Sequence, residues 1–219
     1  MVLSYATAAA SFAFAGKLAV AHLQREGAAA FFLKTATATV AVFIFFEVFF
    51  HFPVGVSEVH FILATSLFLL LGVGPTAWGL SLGLLLQGLF FAPADLPQYA
   101  ANVTTLLVPL FLTAQLAQRV IPENLAYMDL RYRHVLQLSL AYQGGIIAWV
   151  AFWALYGQGF ALVPAIATFG VAYLTVVLLE PLADLALLAG AKSSRRFTPS
   201  PWARLMLNQR LFAGATRAS

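Results

Sequence analysis

Few side chains in this sequence can do chemistry, and they fall close together. Two of its four histidines lie in the stretch Phe50-His51-Phe52-Pro53-Val54-Gly55-Val56-Ser57-Glu58-Val59-His60-Phe61, with the carboxylate of Glu58 between them. A neutral imidazole is the commonest protein ligand for late first-row metals. Pro53 and Gly55 disfavour a continuous helix here, so the stretch is expected to loop. Such a loop could fold His51, Glu58 and His60 toward one another. There is no cysteine, which excludes disulfides and thiolate metal sites. The candidate metal ligands are therefore His60 and His51, with Glu58, Asn102, Glu47 and Gln87 as supporting groups.

The rest of the chain must position this polar island. Hydrophobic residues make up 62% of the 219 and charged residues only 9%, against about 25% charged in a soluble domain. So little charge cannot cover a soluble surface. The expected fold is all-α, a polytopic membrane helical bundle. Apolar runs of about 17–25 residues give seven expected spans, near Leu3–Leu23, Ala28–Phe50, Glu58–Gly72, Thr76–Phe91, Tyr99–Gln118, Val135–Tyr156 and Leu162–Gly190. The third is short, and Gly72-Val73-Gly74-Pro75 ends it with a strong turn signal. Gly79 and Gly83 are spaced for close helix packing, and Pro181 is expected to bend the last span. Residues 1–190 read as a transmembrane domain. Residues 191–219 read as a basic tail, with Trp202, Leu205 and Met206 at helical spacing for a short amphipathic helix on the inner leaflet.

Charge placement tests the span count. Lys17, Arg25 and Lys34 fall at the first connection, Arg119, Arg131 and Arg133 at the fifth, and Lys192, Arg195, Arg196, Arg204, Arg210 and Arg217 in the tail. These are all 12 Lys and Arg residues, and with seven spans every one lies on the same side. The positive-inside rule makes that side cytoplasmic, the N-terminus outside and the C-terminus inside. The net charge of +4 thus belongs to a membrane face and implies no nucleic acid. The outer face carries His51, Glu58, His60, Asp95, Gln98 and Asn102 without a fixed cation. That suits capture of a metal cation, although outer loops of membrane proteins are commonly poor in Lys and Arg.

Each candidate has a plainer alternative. His60 is either a ligand or a helix-start histidine bonded to backbone. His51 is a second ligand, a partner that fixes a tautomer, or an interfacial residue. Glu58 either accepts a ring N–H from a ligand histidine or caps the third helix. Glu47, in Phe45-Phe46-Glu47-Val48-Phe49, must face the bundle interior or be protonated. Asn102 bridges loop backbone more readily than it ligates nickel or cobalt. Gln87 suits an interhelical hydrogen bond. Glu180 and Asp184, one turn apart, are expected to pair with Lys192 or Arg195 near the inner end, or to touch a partner subunit. His22 and His134 sit on the inner side and cannot join the outer site.

From Pro53 to Val108 the chain resembles the CbiM/NikM family, the substrate-capture membrane subunits of energy-coupling factor transporters for cobalt and nickel. The resemblance rests on Val56-Ser57-Glu58-Val59-His60, on Leu85-Leu86-Gln87-Gly88-Leu89-Phe90 and on Ala100-Ala101-Asn102-Val103. Ala141-Tyr142-Gln143-Gly144-Gly145 is similar to proteobacterial members. The resemblance implies that His60 is the loop histidine that binds metal, and that Co²⁺ or Ni²⁺ is transported with no tightly bound cofactor. It implies a coupling membrane subunit, two ATPase subunits and a small accessory membrane protein as partners, and the inner membrane as location. Members of the family begin Met-His, and the terminal amine and that histidine help hold the metal. This chain begins Met1-Val2-Leu3-Ser4-Tyr5, which matches no such pair. Either a short piece precedes Met1, which is the expectation, or metal is captured differently.

The chain has no Gly-rich Lys-Ser/Thr loop to use ATP, so import must be driven by partners. An intramembrane metalloprotease is disfavoured, because neither His-Glu-x-x-His nor Gly-x-Ser-x-Gly occurs. A haem protein would need histidines facing each other at mid-membrane depth, and here they lie near span ends. The chain therefore reads as no enzyme. The remaining alternative is a membrane anchor or assembly protein without a ligand.

Overall fold

The computed structural model describes residues 2–49, 51–122, 125–193 and 205–207. Its elements are helices α1 (Val2–Glu26) and α2 (Ala28–Glu47), strands β1 (Phe52–Val54) and β2 (Ser57–Val59), and then α3 (Ala64–Leu71), α4 (Val73–Phe90), α5 (Tyr99–Val120), α6 (Tyr132–Gln158) and α7 (Val163–Ser193). Five helical stretches are long and apolar enough to cross a membrane. The last of them, Tyr132–Ser193, runs through both α6 and α7. The protein is an all-α, multi-pass membrane bundle.

The polar island does loop, and it does so as an antiparallel hairpin. Phe52 faces Val59, Pro53 faces Glu58 and Val54 faces Ser57, leaving Gly55 and Val56 as a two-residue turn. Gly55 has φ +63°, the left-handed geometry that such tight turns demand and that glycine accepts most easily.

The third crossing departs from expectation. The run Glu58–Gly72 was expected as a helix, but only Ala64–Leu71 is helical, 8 residues long. That covers about 12 Å, too little for a hydrocarbon core of about 30 Å. The chain from Phe61 to Leu63 is not helical, and Leu63 takes φ 51°, a left-handed conformation that costs a branched residue about 1 kcal/mol or more. Non-helical backbone at membrane depth survives only where protein satisfies it. Here α7 does so, as described below. Gly72, with φ +97°, then closes α3 and opens α4 in one step.

The other helices pack as small residues allow. A Cβ on Gly79 would sit 2.2 Å from the Cβ of Ala38, and one on Gly83 would sit 2.6 Å from Cγ1 of Val42. Thus α4 lies against α2 with almost nothing between the backbones. Gly145 of α6 meets the ring of Pro109 in α5 in the same way. The main core joins Phe46, Leu80, Leu107, Tyr142 and Phe169, and a smaller one lies near Tyr127 and Val135. Helix α7 runs on through Pro181 to Ser193, slightly past the expected domain edge at 190.

Among the described residues every cation lies at or toward the end opposite the hairpin. Lys34 is fully buried there and donates to Glu26, with His22 Nε2 at 3.9 Å from the same carboxylate. Lys192 lies over the Tyr132 ring, 4.5 Å from its centre. Arg195, Arg196, Trp202, Arg204, Arg210 and Arg217 fall outside the described residues. Leu207 packs against both cores.

Candidate metal-capture site

At the hairpin end the helices splay around a cavity of about 670 Å³. Its wall includes Glu58, His60, Gln87, Asn102, Asp95 and Trp153. Each arrives from a different piece of local structure. The hairpin turn brings Glu58 and returns the chain at His60. The last turns of α4 bring Gln87, a 3-10 turn at Pro93–Gln98 brings Asp95, and the first turn of α5 brings Asn102.

His60 is the best-placed of the metal candidates. Its ring packs on Phe46 with centroids 4.3 Å apart, which fixes its plane. Its Nδ1 is buried and has no hydrogen-bond partner. Most buried polar atoms in proteins find a partner, so an orphaned imidazole nitrogen beside a cavity is a ready ligand atom. Burial lowers the His60 pKa to about 4, against an opposing backbone interaction at Phe61 and with a smaller lowering from the nearby His51. The ring is therefore neutral near pH 7, the form that binds metals.

His51 and Glu58 meet each other instead. His51 Nδ1 lies 3.9 Å from Glu58 Oε2 across the base of the hairpin, and both side chains are more than a third exposed. Glu58 reaches the cavity wall, but His51 is not part of it. Glu58 does not cap the third helix, because α3 starts later and its N-cap is Leu63. Glu47 ends α2, half-buried and away from the cavity lining. No three His, Cys, Asp or Glu side chains gather as a metal-binding group among the described residues. His60 thus stands as a single buried imidazole beside a roomy pocket of mixed polar and apolar lining.

The expected pairing of Glu180 and Asp184 with Lys192 is corrected by the structure, while Arg195 lies outside the described residues. Both carboxylates are buried, at 1% and 0% exposure. Glu180 Oε1 accepts the backbone N–H of Ile62 and that of Leu63, the latter at 3.1 Å. Its Oε2 accepts the side-chain amide of Gln143, whose own oxygen accepts the Tyr173 hydroxyl at 2.8 Å. Asp184 Oδ1 accepts the Ser66 hydroxyl. Lys192 lies elsewhere, over Tyr132. The signal that could have found these contacts was present: two carboxylates at i and i+4 inside an apolar helix are costly unless they face protein partners. Of the motif Ala141-Tyr142-Gln143-Gly144-Gly145, Gln143 holds Glu180, Tyr142 donates to the Leu106 carbonyl at 3.4 Å, and Gly145 admits Pro109.

No curated protein and no solved structure matches the chain. A family model does match, described as CbiM, cobalt uptake substrate-specific transmembrane region, over residues 1–196. With nearly nine-tenths of its length so matched, and with an apolar helical bundle beneath the match, the chain belongs to the CbiM family of cobalt-uptake membrane proteins.

Proposed function

We propose that this protein is the metal-capture membrane subunit of an energy-coupling factor importer for Co²⁺ or Ni²⁺, and not an enzyme. The observation that carries the reading is the orphaned Nδ1 of His60 beside the hairpin-end cavity. Imidazole donors favour borderline metals over Mg²⁺ and Ca²⁺. The described hairpin end has no Lys or Arg, so nothing fixed repels a dication. His60 supplies one ligand, and water fills the other positions. Asn102 and Gln87 hold coordinated waters from the opposite wall. The exposed His51–Glu58 pair stands beside the opening and adds negative potential.

In this reading the basic end faces the cytoplasm of a cell whose inner membrane holds the protein, by the positive-inside rule. A coupling membrane subunit, two ATPase subunits and a small accessory membrane protein supply the energy that this chain lacks. The metal sheds water as it enters the cavity, binds His60, and leaves when the partners reorient the subunit.

The test is a calorimetric titration of purified protein with Co²⁺ and Ni²⁺, repeated on His60→Ala. Tight binding that the substitution abolishes is the expected result. Equal binding by both proteins would remove His60 from the site. Binding by neither would leave a membrane anchor as the better description.

A further inference from the structure

Helix α3 begins in the middle of the bundle, where its first N–H groups have no water to bond. Its N-cap residue, Leu63, offers no side-chain cap. Two carboxylates one turn apart on α7 stand in for one. Glu180 takes the N–H groups of Ile62 and Leu63, and Asp184 takes the hydroxyl of Ser66 in the first turn. A helix N-terminus carries roughly half a positive charge, so acidic partners suit it. These contacts come immediately after His60. The same helix touches the capture hairpin a second time: a Cβ on Gly55 would lie 2.2 Å from the Ala165 carbonyl oxygen and 3.2 Å from the Phe169 nitrogen.

We infer that Glu180 and Asp184 are positioning residues for metal capture, a clamp through which α7 sets where His60 stands. The inference rests on His60 being a ligand. The geometry makes the clamp specific. Leu63 is held in a left-handed conformation that a leucine would leave if released. Two residues upstream of Ile62, the backbone carries His60. A shift of α7 against α3 therefore moves the imidazole relative to Gln87 and Asn102, which belong to α4 and α5. Gln143 and Tyr173 hold the free side of Glu180, so the carboxylate cannot follow the loop if α7 moves. A partner that grips the basic end of α7 would in this way loosen the metal at the other end.

The experiment uses the full chain in lipid nanodiscs, with Co²⁺ titration and amide hydrogen exchange over residues 59–66 measured on the same samples. Glu180→Leu fills the same space without an acceptor, and Glu180→Gln keeps one. Leu is expected to speed exchange at Ile62 and Leu63 and to weaken Co²⁺ binding by about tenfold or more, the scale of losing an outer partner of a metal ligand. Gln is expected to restore both. Unchanged exchange and affinity in Glu180→Leu overturn the clamp, as does a Gln variant as impaired as Leu. If Glu180→Leu does not fold, Ser66→Ala and Ser66→Thr make the same comparison at Asp184. Faster exchange and weaker binding in Ala, reversed in Thr, support the clamp; Ala behaving as wild type overturns it. Wild-type protein that binds no Co²⁺ sinks the capture reading instead, and the exchange results still judge the clamp.

Discussion

Two seams in this bundle solve one problem in opposite ways. Between α2 and α4 the backbones meet closely through Gly79, Gly83, Ala38 and Val42. Between α3 and α7 the contact is polar: carboxylates from one helix satisfy backbone and hydroxyl groups at the start of the other. Lipid offers no hydrophobic drive for helices to associate, so close packing and hydrogen bonds must both serve. The first kind of seam has one good arrangement and fails steeply when spread. The second kind lets a helix begin halfway through the membrane and places a loop residue, His60, at the cavity. One seam is scaffold, and the other is positioned next to the chemistry.

The largest effect is expected from breaking the apolar seam. Gly79→Leu puts a branched side chain where even a Cβ lies 2.2 Å from Ala38. Overpacking of this kind costs about 3 kcal/mol, the upper part of its usual range. Thermal unfolding followed by size-exclusion chromatography should show a large drop in midpoint or no folded protein. A midpoint near wild type would mean that α2 and α4 are not so closely joined.

The polar seam should fail more gently. Asp184→Ala strands the Ser66 hydroxyl inside the bundle, at a cost of about 2 kcal/mol. Asp184→Asn keeps an acceptor and should lose less than half as much. If Asn were as damaging as Ala, hydrogen-bond acceptance by Asp184 would not be what holds α3. Below these comes Gly83→Ala. Its Cβ would lie 2.6 Å from Cγ1 and 2.8 Å from Cβ of Val42, with backbone no nearer than 3.3 Å. Rotating the valine moves its methyl but not its Cβ, so the helices must part slightly, and a loss of about 1.5 kcal/mol is expected. A loss equal to that of Gly79→Leu would show that the seam has no slack along its length.

The two seams differ also in how plainly the sequence announces them. Gly79 and Gly83 at i and i+4 in an apolar run signal close packing directly. Pro53 and Gly55 likewise signal a break, and the break is a hairpin. The unwound start of the third crossing gives no such sign. From Val59 to Leu71 there is neither proline nor glycine, and the unwound stretch is held by Glu180, 118 residues away from Ile62. Local pattern cannot report a cap supplied from so far along the chain. For the same reason Glu180 and Asp184 read as inner-end ion-pair partners when taken only with their neighbours in sequence. His60 stood out as a candidate ligand from its type and loop, but its unpartnered, buried Nδ1 and its packing on Phe46 are tertiary facts. Likewise the sequence placed His51 beside Glu58 without showing that His51 would stand outside the cavity that Glu58 lines.

The smallest effect sharpens what the polar seam is for. His51→Ala removes a half-exposed contact of 3.9 Å, and exposed pairs of this kind contribute well under about 1 kcal/mol. The unfolding midpoint should barely move. Co²⁺ affinity should change by no more than about threefold, because the Glu58 carboxylate that makes the opening negative is still there, and any difference should shrink in high salt because such fields are screened. His60→Ala, by contrast, should lose at least the 100-fold or so that marks the upper cost of disturbing a ligand's surroundings, independent of salt. If His51→Ala instead matched His60→Ala, the hairpin would have to bring both imidazoles onto the metal. The base of the hairpin would then close over the cavity on binding, and the α3–α7 contact would hold only one of two ligands in place.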